Sequence, residues 1–195
     1  MFTGIIETLG KVIAIEKEGS NLHFTLESPL SHELKIDQSV AHNGVCLTVV
    51  KMGNGTHTVT AVDETLKKTN LKQLEIGHEV NLERCMIANG RFDGHVVQGH
   101  VDQTAVCTAK TTLDGSWIFD FEYDAALGNV TVEKGSICIN GVSLTCFKSG
   151  TNTFSVTIIP YTMEHTDFKQ LESGDEVNLE FDIIGKYVSK LLNNR

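Results

Sequence analysis

The sequence has no long apolar segment and no signal-like beginning. No apolar run approaches the roughly 18 residues that a membrane-spanning helix needs. The opening Met1-Phe2-Thr3-Gly4 carries no basic stretch ahead of an apolar one. These two absences predict a soluble, cytoplasmic protein.

Clustered positive charge is also missing. The 16 lysine and arginine residues are scattered, apart from the pair Lys67-Lys68, and the formal net charge is −9. Nucleic acids and anionic lipid surfaces are bound by clustered basic residues, so we expect neither nucleic acid nor membrane as a partner. A small-molecule substrate fits this charge better.

The cysteines are odd in number, and their spacing pairs none of them. No C-x-x-C pair occurs, which argues against a disulfide framework and against a zinc site. We predict free thiols in a reducing compartment, and the simplest interpretation of each is a small buried apolar residue. The five are Cys46, Cys85, Cys107, Cys138 and Cys146.

Motifs for common cofactors are absent. The sequence contains no G-x-G-x-x-G, no P-loop and no H-E-x-x-H, so dinucleotide, ATP and zinc-protease functions have no support. His95 and His100 fall in a β-rich stretch at a spacing that places them on opposite faces of a strand. Without a carboxylate or cysteine at ligand spacing, we predict no metal site.

What the sequence does contain is an internal repeat. Residues 39–84 align without a gap on residues 136–181, and half of the paired residues are identical. Each copy carries the motif Asn-Gly-Val-x-Leu-Thr, at residues 43–48 and 140–145. A repeat of this length predicts that one structural unit occurs twice.

The repeat also divides the chain. Residues 2–7 lie over residues 97–102 after a small length change, so we predict an N-terminal unit at 1–88 and a C-terminal unit at 97–184, joined by a turn-rich linker. Residues 185–195 continue apolar residues at helical spacing. They are expected to form a C-terminal helix that packs on its own domain or seals an oligomer.

The segments within each unit are short and rich in β-branched residues. An Asn54-Gly55 hairpin signal lies between two of these segments. One helical turn is expected at residues 63–69, and its counterpart at 161–166. The predicted fold class is all-β, with two tandem six-stranded Greek-key barrels and a C-terminal helix. The strands expected in the first unit include residues 11–15, 22–26, 45–50 and 56–62.

The two motif copies differ at one informative position. Cys46 in the first copy corresponds to Ser143 in the second, and both precede Leu-Thr. Serine is a poor core residue, so we expect both side chains to line pockets. A thiol becomes a nucleophile where its pKa is lowered, although the sequence names no base beside it. The shared Asn43-Gly44 and Asn140-Gly141 are interpreted as turn residues that tolerate positive φ.

His100 and a set of threonines are further candidates. His100 follows Gly99 at the position where the first unit has Ile5, and it is interpreted either as a proton carrier or as a hydrogen-bonded structural residue. The threonines are expected either to cap the helical turn or to line a pocket for a polyol. They recur in pairs, Thr60 with Thr157, Thr65 with Thr162, and Thr69 with Thr166.

Five segments in order resemble one family. Residues 1–7, 43–48, 81–84, 94–102 and 140–145 together resemble riboflavin synthase of the trimeric α-subunit type, over almost the whole chain. The resemblance implies transfer of a four-carbon unit between two molecules of 6,7-dimethyl-8-ribityllumazine, without metal or redox cofactor. The products are riboflavin and 5-amino-6-ribitylaminouracil. It also implies a homotrimer, in which the N-terminal barrel of one subunit faces the C-terminal barrel of its neighbour.

The same resemblance implies the site residues. Cys46 or a nearby water would add to the acceptor lumazine, while His100 and Ser143 would help to remove a proton from the 7-methyl group of the donor. In the N-terminal unit the pocket residues would be Gly4, Ile5, Ile6, Leu47, Thr48, Thr60, Ala61, Val62, Asp63, Glu64 and Thr65. In the C-terminal unit they would be Gly99, Val101, Lys134, Leu144, Thr145, Thr157, Ile158, Ile159, Pro160, Tyr161 and Thr162.

One departure and two alternatives accompany this interpretation. Many family members carry Asp where this chain has Asn140, and an amide cannot act as a general base. A non-catalytic lumazine- or flavin-carrying antenna protein would have the same double barrel. Such a protein would be expected to let one pocket decay, whereas both motifs stand here. A scaffold without ligand would leave the paired threonines and the Cys46/Ser143 exchange unexplained.

Overall fold

A computed structural model describes residues 1–193, and the repeat is visible in its order of elements. The strands of the first unit are β1 (Thr8–Glu18), β2 (Asn21–Glu27), β3 (Ser39–His42), β4 (Val45–Met52), β5 (Thr56–Ala61) and β6 (Glu79–Arg84). Those of the second are β7 (Gln103–Leu113), β8 (Ser116–Tyr123), β9 (Ser136–Ile139), β10 (Val142–Thr145), β11 (Thr153–Ile158) and β12 (Glu176–Phe181). The helices are α1 (Asp63–Lys68), α2 (Pro160–His165) and α3 (Ile183–Asn193).

The first unit closes into a barrel with the strand order β1-β2-β5-β4-β3-β6. All of its pairings are antiparallel. Because β5, the last strand of the β3-β4-β5 meander, returns to lie beside β2, the topology is a Greek key. The predicted strands, the helical turn and the hairpin at Gly55, whose φ is 71°, are confirmed. Alternate residues of β5 are buried, as the two-residue side-chain period of a strand requires.

The second unit repeats this strand order but does not close in the same way. Its sheet runs β10-β9-β12-β7-β8-β11, so the described ladder ends between β10 and β11. A single bridge, from Phe147 to Ser155, joins the two edges. Lys148 has a φ of 49°, which interrupts the extended conformation where β4 of the first unit continues to Met52. The predicted pair of six-stranded barrels is confirmed, with this seam as a difference between them, and we call this sheet the second barrel.

The two barrels meet through their Asn-Gly turns. Asn43 and Asn140 each have a φ of 45°, which confirms them as turn residues. A Cβ on Gly44 would lie 2.7 Å from the backbone nitrogen of Gly141, so the two turns pack back to back. Asn81 Nδ2 donates to the Asn140 carbonyl at 2.9 Å. Its counterpart in the second barrel, Asn178, donates from Nδ2 to the Asn43 carbonyl at 2.8 Å. This reciprocal contact gives the pair of barrels a pseudo-twofold relation.

Helix α3 follows the second barrel. It begins at Ile183, two residues before the predicted tail, and residues 194 and 195 of that prediction lie outside the described residues. Its side chains at Ile184, Tyr187, Val188, Leu191 and Leu192 are exposed. Lys186 ties the helix to Asp102 with Nζ–O distances of 2.6 and 2.8 Å. None of the helices in residues 1–193 is long and apolar enough to cross a membrane.

Candidate active site

Two extended segments cross between the barrels and complete the site. We call residues 2–6 the first arm and residues 97–101 the second arm. They pair with each other in antiparallel fashion, since Phe2 and Val97 exchange backbone hydrogen bonds of 2.7 and 3.1 Å. Beyond this crossing, each arm continues onto the other unit's barrel. Each motif strand therefore faces an arm that belongs to the other unit.

The second arm lies against Cys46 of the first barrel. The Cys46 backbone N–H donates 2.8 Å to the Gly99 carbonyl, and a Cβ on Gly99 would lie only 2.6 Å from Cys46 Cβ. Gly99 has a φ of 79°, so both its backbone conformation and its close contact require glycine. His100 follows it with an exposed side chain, while Val101 packs on the first barrel's core. Cys46 points outward from its barrel because its strand neighbours Val45 and Leu47 fill the core.

The first arm lies against Ser143 of the second barrel in the equivalent way. The Ser143 N–H donates 2.8 Å to the Gly4 carbonyl, and a Cβ on Gly4 would lie 2.6 Å from Ser143 Cβ. Ile6 packs on the core of the second barrel. His95, which precedes the second arm, adds a feature that Cys46 lacks: its Nδ1 is 2.6 Å from Ser143 Oγ.

We call the surroundings of Cys46 the first half-site and those of Ser143 the second half-site. The two half-sites differ in their electrostatics. Burial lowers the pKa of His95, with the Asp182 carboxylate acting in the opposite direction, so a neutral imidazole is favoured as a hydrogen-bond acceptor for the Ser143 hydroxyl. Burial raises the pKa of the Cys46 thiol, and a hydrogen bond with Ser39 opposes this effect only in part. The second half-site therefore holds a serine–base pair, whereas the first holds a protonated thiol.

The predicted pocket residues of one sequence unit do not all lie beside the same motif residue. Gly4, Ile5 and Ile6 were expected with Cys46, but their arm lies at Ser143, and the arm that begins at Gly99 lies at Cys46. The arms exchange partners because they cross at Phe2 and Val97. A sequence alignment of the two units gives no information about this crossing.

The remaining predicted residues divide by exposure. Leu47, Ala61 and Ile158 have side chains within the barrel cores, so only their backbone can line a pocket. Lys134 lies in a turn with a φ of 63°, its ammonium 5.9 Å from the centroid of the Phe147 ring. Leu144 is half-buried against the second core. Exposed outer positions are occupied by Ile5, Thr48, Val62, Asp63, Glu64, Thr145, Thr157, Ile159, Pro160 and Tyr161.

The repeated threonines have two kinds of role. Thr69 donates 2.7 Å to the Thr65 carbonyl and accepts from Leu71 N–H, and Thr166 does the same in the second barrel. These two therefore cap the 3₁₀ turn that follows each short helix. Thr60 is 2.8 Å from His23 Nδ1. Thr65 and Thr162 are half-buried beside the outer positions, and their role in a polyol pocket stays a prediction.

His95 is the residue that sequence reasoning missed. We considered it only as a metal ligand and interpreted Ser143 together with His100. The sequence offers one signal for His95, because this residue lies in segment 94–102, one of the five segments that resemble the family. Within residues 1–193, no group of three or more His, Cys, Asp or Glu side chains has the geometry to hold a metal ion.

Comparison with known proteins identifies the family of the chain. Residues 3–85 and 98–182 each match the family described as the lumazine binding domain. The chain is 41% identical over 194 residues to riboflavin synthase of Bacillus subtilis, which covers 99% of this chain and 90% of that protein. It is 38% identical over 199 residues to riboflavin synthase of Mycobacterium tuberculosis, with 100% and 99% coverage.

Solved structures with the same fold bear a different name. The crystal structure of LumP complexed with riboflavin superposes with a TM-score of 0.86 at 22% identity and covers 93% of this chain and 99% of that one. The complex of LumP with 6,7-dimethyl-8-(1'-D-ribityl) lumazine gives 0.84 at 21% identity, with 92% and 98% coverage. This likeness concerns the fold alone, whereas the sequence matches are full-length and much closer. The chain belongs to the riboflavin synthase family and is built from two lumazine binding domains.

Proposed function

We propose that the protein is a riboflavin synthase, a transferase that converts two molecules of 6,7-dimethyl-8-ribityllumazine into riboflavin and 5-amino-6-ribitylaminouracil. The two products together contain all the atoms of the two substrates, so the reaction needs no oxidant. The observation that carries the proposal is the pair of half-sites with matched backbones and different side chains. Two identical substrates need similar pockets, but a donor and an acceptor need different chemistry.

The half-site at Ser143 suits proton removal. A neutral His95 accepts the hydroxyl proton of Ser143 at 2.6 Å, which prepares the serine oxygen to take a proton from the acidic 7-methyl group of a bound lumazine. His100 remains a candidate for a second proton transfer. Its side chain is exposed, and it follows Gly99 at the half-site of Cys46. Lumazine and riboflavin are accordingly the small molecules we propose to bind here.

The half-site at Cys46 suits acceptance of the four-carbon unit. Because burial raises the pKa of the thiol, we favour water over Cys46 as the nucleophile that adds to the acceptor. Cys46 then forms a wall of that pocket. Positioning two ring systems face to face supplies a large part of the rate, since holding reactants in a reactive geometry replaces a bimolecular encounter.

Assembly would complete the open half-sites. Apolar side chains near both half-sites are exposed in the single chain, including Ile5, Val62, Ile159 and Tyr161. The apolar residues of α3 are exposed as well. We propose a cytoplasmic homotrimer, with barrels at 1–88 and 97–184 and the tail from 185 as its assembly helix. A neighbour's second barrel would then cover each first barrel.

Incubation with 6,7-dimethyl-8-ribityllumazine tests the activity. Riboflavin and the uracil product are expected in equal amounts, followed by absorbance and chromatography. Ser143→Ala serves as the matched variant of reduced activity, because it removes the hydroxyl and leaves the backbone contact to Gly4. Tight lumazine binding without any product in the unaltered protein would favour the antenna function, which the likeness to LumP makes the second candidate.

A further inference from the structure

The second arm is held by one buried carboxylate. Glu180, on β12, is 3% exposed. Its Oε1 accepts from the Gln98 N–H at 2.6 Å, and its Oε2 accepts from the N–H groups of Gly99 and His100 at 2.9 and 2.8 Å. Three consecutive backbone donors therefore converge on a single side chain, and the middle one belongs to Gly99, which contacts Cys46.

The first arm is held by the equivalent carboxylate. Glu83, on β6, is 5% exposed. Its Oε1 accepts from the N–H and hydroxyl of Thr3 at 2.7 and 2.8 Å, and its Oε2 accepts from the Gly4 N–H at 3.0 Å. The Thr3 carbonyl in turn accepts from the His95 N–H at 3.1 Å. Glu83 is thus connected both to the Gly4 contact with Ser143 and to the backbone of His95.

Only a carboxylate matches this arrangement of donors. A glutamine of the same length has one oxygen and one NH₂ group, so it would turn a donor toward at least one arm N–H and leave both groups unsatisfied. A buried donor left without a partner is unfavourable, and the arm would move away to find water. The strand register places each glutamate in the row of its own barrel's motif residue: Glu83 pairs with Ala41, which pairs with Cys46.

We propose that Glu180 and Glu83 are positioning residues, each of which fixes the arm that completes the half-site on the opposite barrel. Glu180 places Gly99 against Cys46. Glu83 places Gly4 on Ser143 and supports His95. This inference extends the proposed function, but its structural part stands without it, because the placement of an arm is measurable in a protein that forms no riboflavin.

Alkylation of Cys46 tests the placement of the second arm directly. In a Cys85→Ser background, which removes the exposed thiol, iodoacetamide reports on Cys46 because the other three cysteines are buried. Glu180→Gln is expected to raise the alkylation rate of Cys46 about tenfold. Glu83→Gln is expected to raise this rate by less than half of that factor. Glu16→Gln, an exposed carboxylate far from the arms in sequence, is the control and should leave the rate unchanged. An unchanged rate in Glu180→Gln would overturn the proposal, and equal rates in both variants would overturn the assignment of one glutamate to each half-site.

Kinetics then separate positioning from a merely structural role. Both glutamine variants are expected to lose about 10²-fold in kcat, since misplacement by about 1 Å can cost this much, with a smaller change in KM. Glu83→Gln should also move the acid limb of the kcat profile to higher pH, because a loosened arm admits water to His95 and raises its pKa toward the ordinary value. Normal kcat in a folded variant would refute the role.

Hydrogen exchange keeps the test independent of variant folding. In the unaltered protein, the amides of Gln98, Gly99 and His100 are expected to exchange more than tenfold slower than those of the exposed hairpin at Asp114 and Gly115. Fast exchange at all three would contradict the carboxylate contacts. If the protein made no riboflavin while alkylation and exchange behaved as expected, the proposed function would fail and the positioning inference would stand.

Discussion

Acid should destabilise the first barrel through a buried pair of histidines. His42 Nε2 lies 2.9 Å from His57 Nε2, and both rings are almost completely buried. His42 Nδ1 is 3.1 Å from the Val40 carbonyl, so this nitrogen carries the proton and Nε2 of the same neutral ring must accept. His57 therefore donates from Nε2, and its Nδ1 accepts from the Ser31 hydroxyl at 2.8 Å. The hydrogen bonds from the Ser31 hydroxyl through the two rings to the Val40 carbonyl can all form only while both rings are neutral.

The sign of the pH dependence follows from this arrangement. Burial lowers the pKa of His42 from 6.5 to about 3, reinforced by the neighbouring ring, and burial lowers that of His57 to about 4. The unfolded chain takes up protons near pH 6.5 and the folded chain does not, so the stabilisation is complete above that pH and is lost as the pH falls. Two such groups cost about 4 kcal/mol of unfolding free energy between pH 7 and pH 5.

The repeat supplies the variant that removes this effect. The positions of His42 and His57 are occupied in the second barrel by Ile139 and Phe154, both of which are buried in its core. We therefore choose His42→Ile and His57→Phe, together with Ser31→Ala so that no hydroxyl is left unpaired. Urea unfolding followed by far-UV circular dichroism at pH 7 and pH 5 gives the two free energies, and the exposed His32→Gln is the control.

The expected result is a smaller loss of stability on acidification in the triple variant, by about 4 kcal/mol, than in the unaltered protein. Other groups act in the opposite direction, because burial raises the pKa values of Glu83, Glu180 and Asp167. They remain in both proteins and cancel in the comparison. Identical pH dependence in the two proteins would refute the argument that the pair is neutral when folded.

The remaining predictions concern the half-sites, assembly and the barrel junction. Cys46→Ser should keep turnover within about tenfold of the unaltered enzyme, because a protonated thiol is not the nucleophile, and complete loss in a steady-state assay would contradict this. Ser143→Ala should lose about 10²-fold in kcat, and full activity would exclude a serine–base pair. A chain ending at Asp182 should sediment as a smaller species, whereas an intact trimer would argue against the tail helix. Asn140→Asp should lower the free energy of unfolding at pH 8 by about 2 kcal/mol, and adding Asp167→Asn should restore it in a double-mutant cycle.

Local patterns in the sequence predicted most of the fold. The strand from residues 56 to 62 alternates polar and apolar residues, Asn54-Gly55 marks its hairpin, and the repeat requires that a second unit follow the same order. These features depend on contacts within a few residues or on identity between the copies. The seam of the second barrel was not predictable in this way, because it coincides with a left-handed residue, Lys148, that no local pattern marks.

The geometry of the site depends on contacts that no local pattern encodes. Motif comparison identified Cys46 and Ser143, since their difference is visible in aligned sequence. The crossing of the arms at Phe2 and Val97 is a pairing across the whole first unit, and it decides which residues face which motif. The contact between His95 and Ser143 follows only from that crossing. The sequence therefore contains both residues but does not show that they are in contact.

The amide at Asn140 fits the buried carboxylate that lies beside it. Asn140 Nδ2 donates 2.7 Å to Asp167 Oδ2, and its Oδ1 accepts from the Asn178 N–H at 2.8 Å. Asp167 also accepts from Asn81 of the first barrel at 2.7 Å, and burial raises its pKa to about 6. An aspartate at position 140 would place a second carboxylate against this one, and the two could not both stay charged without repulsion. An aspartate at position 140 should therefore be tolerated only when the carboxylate of Asp167 is removed.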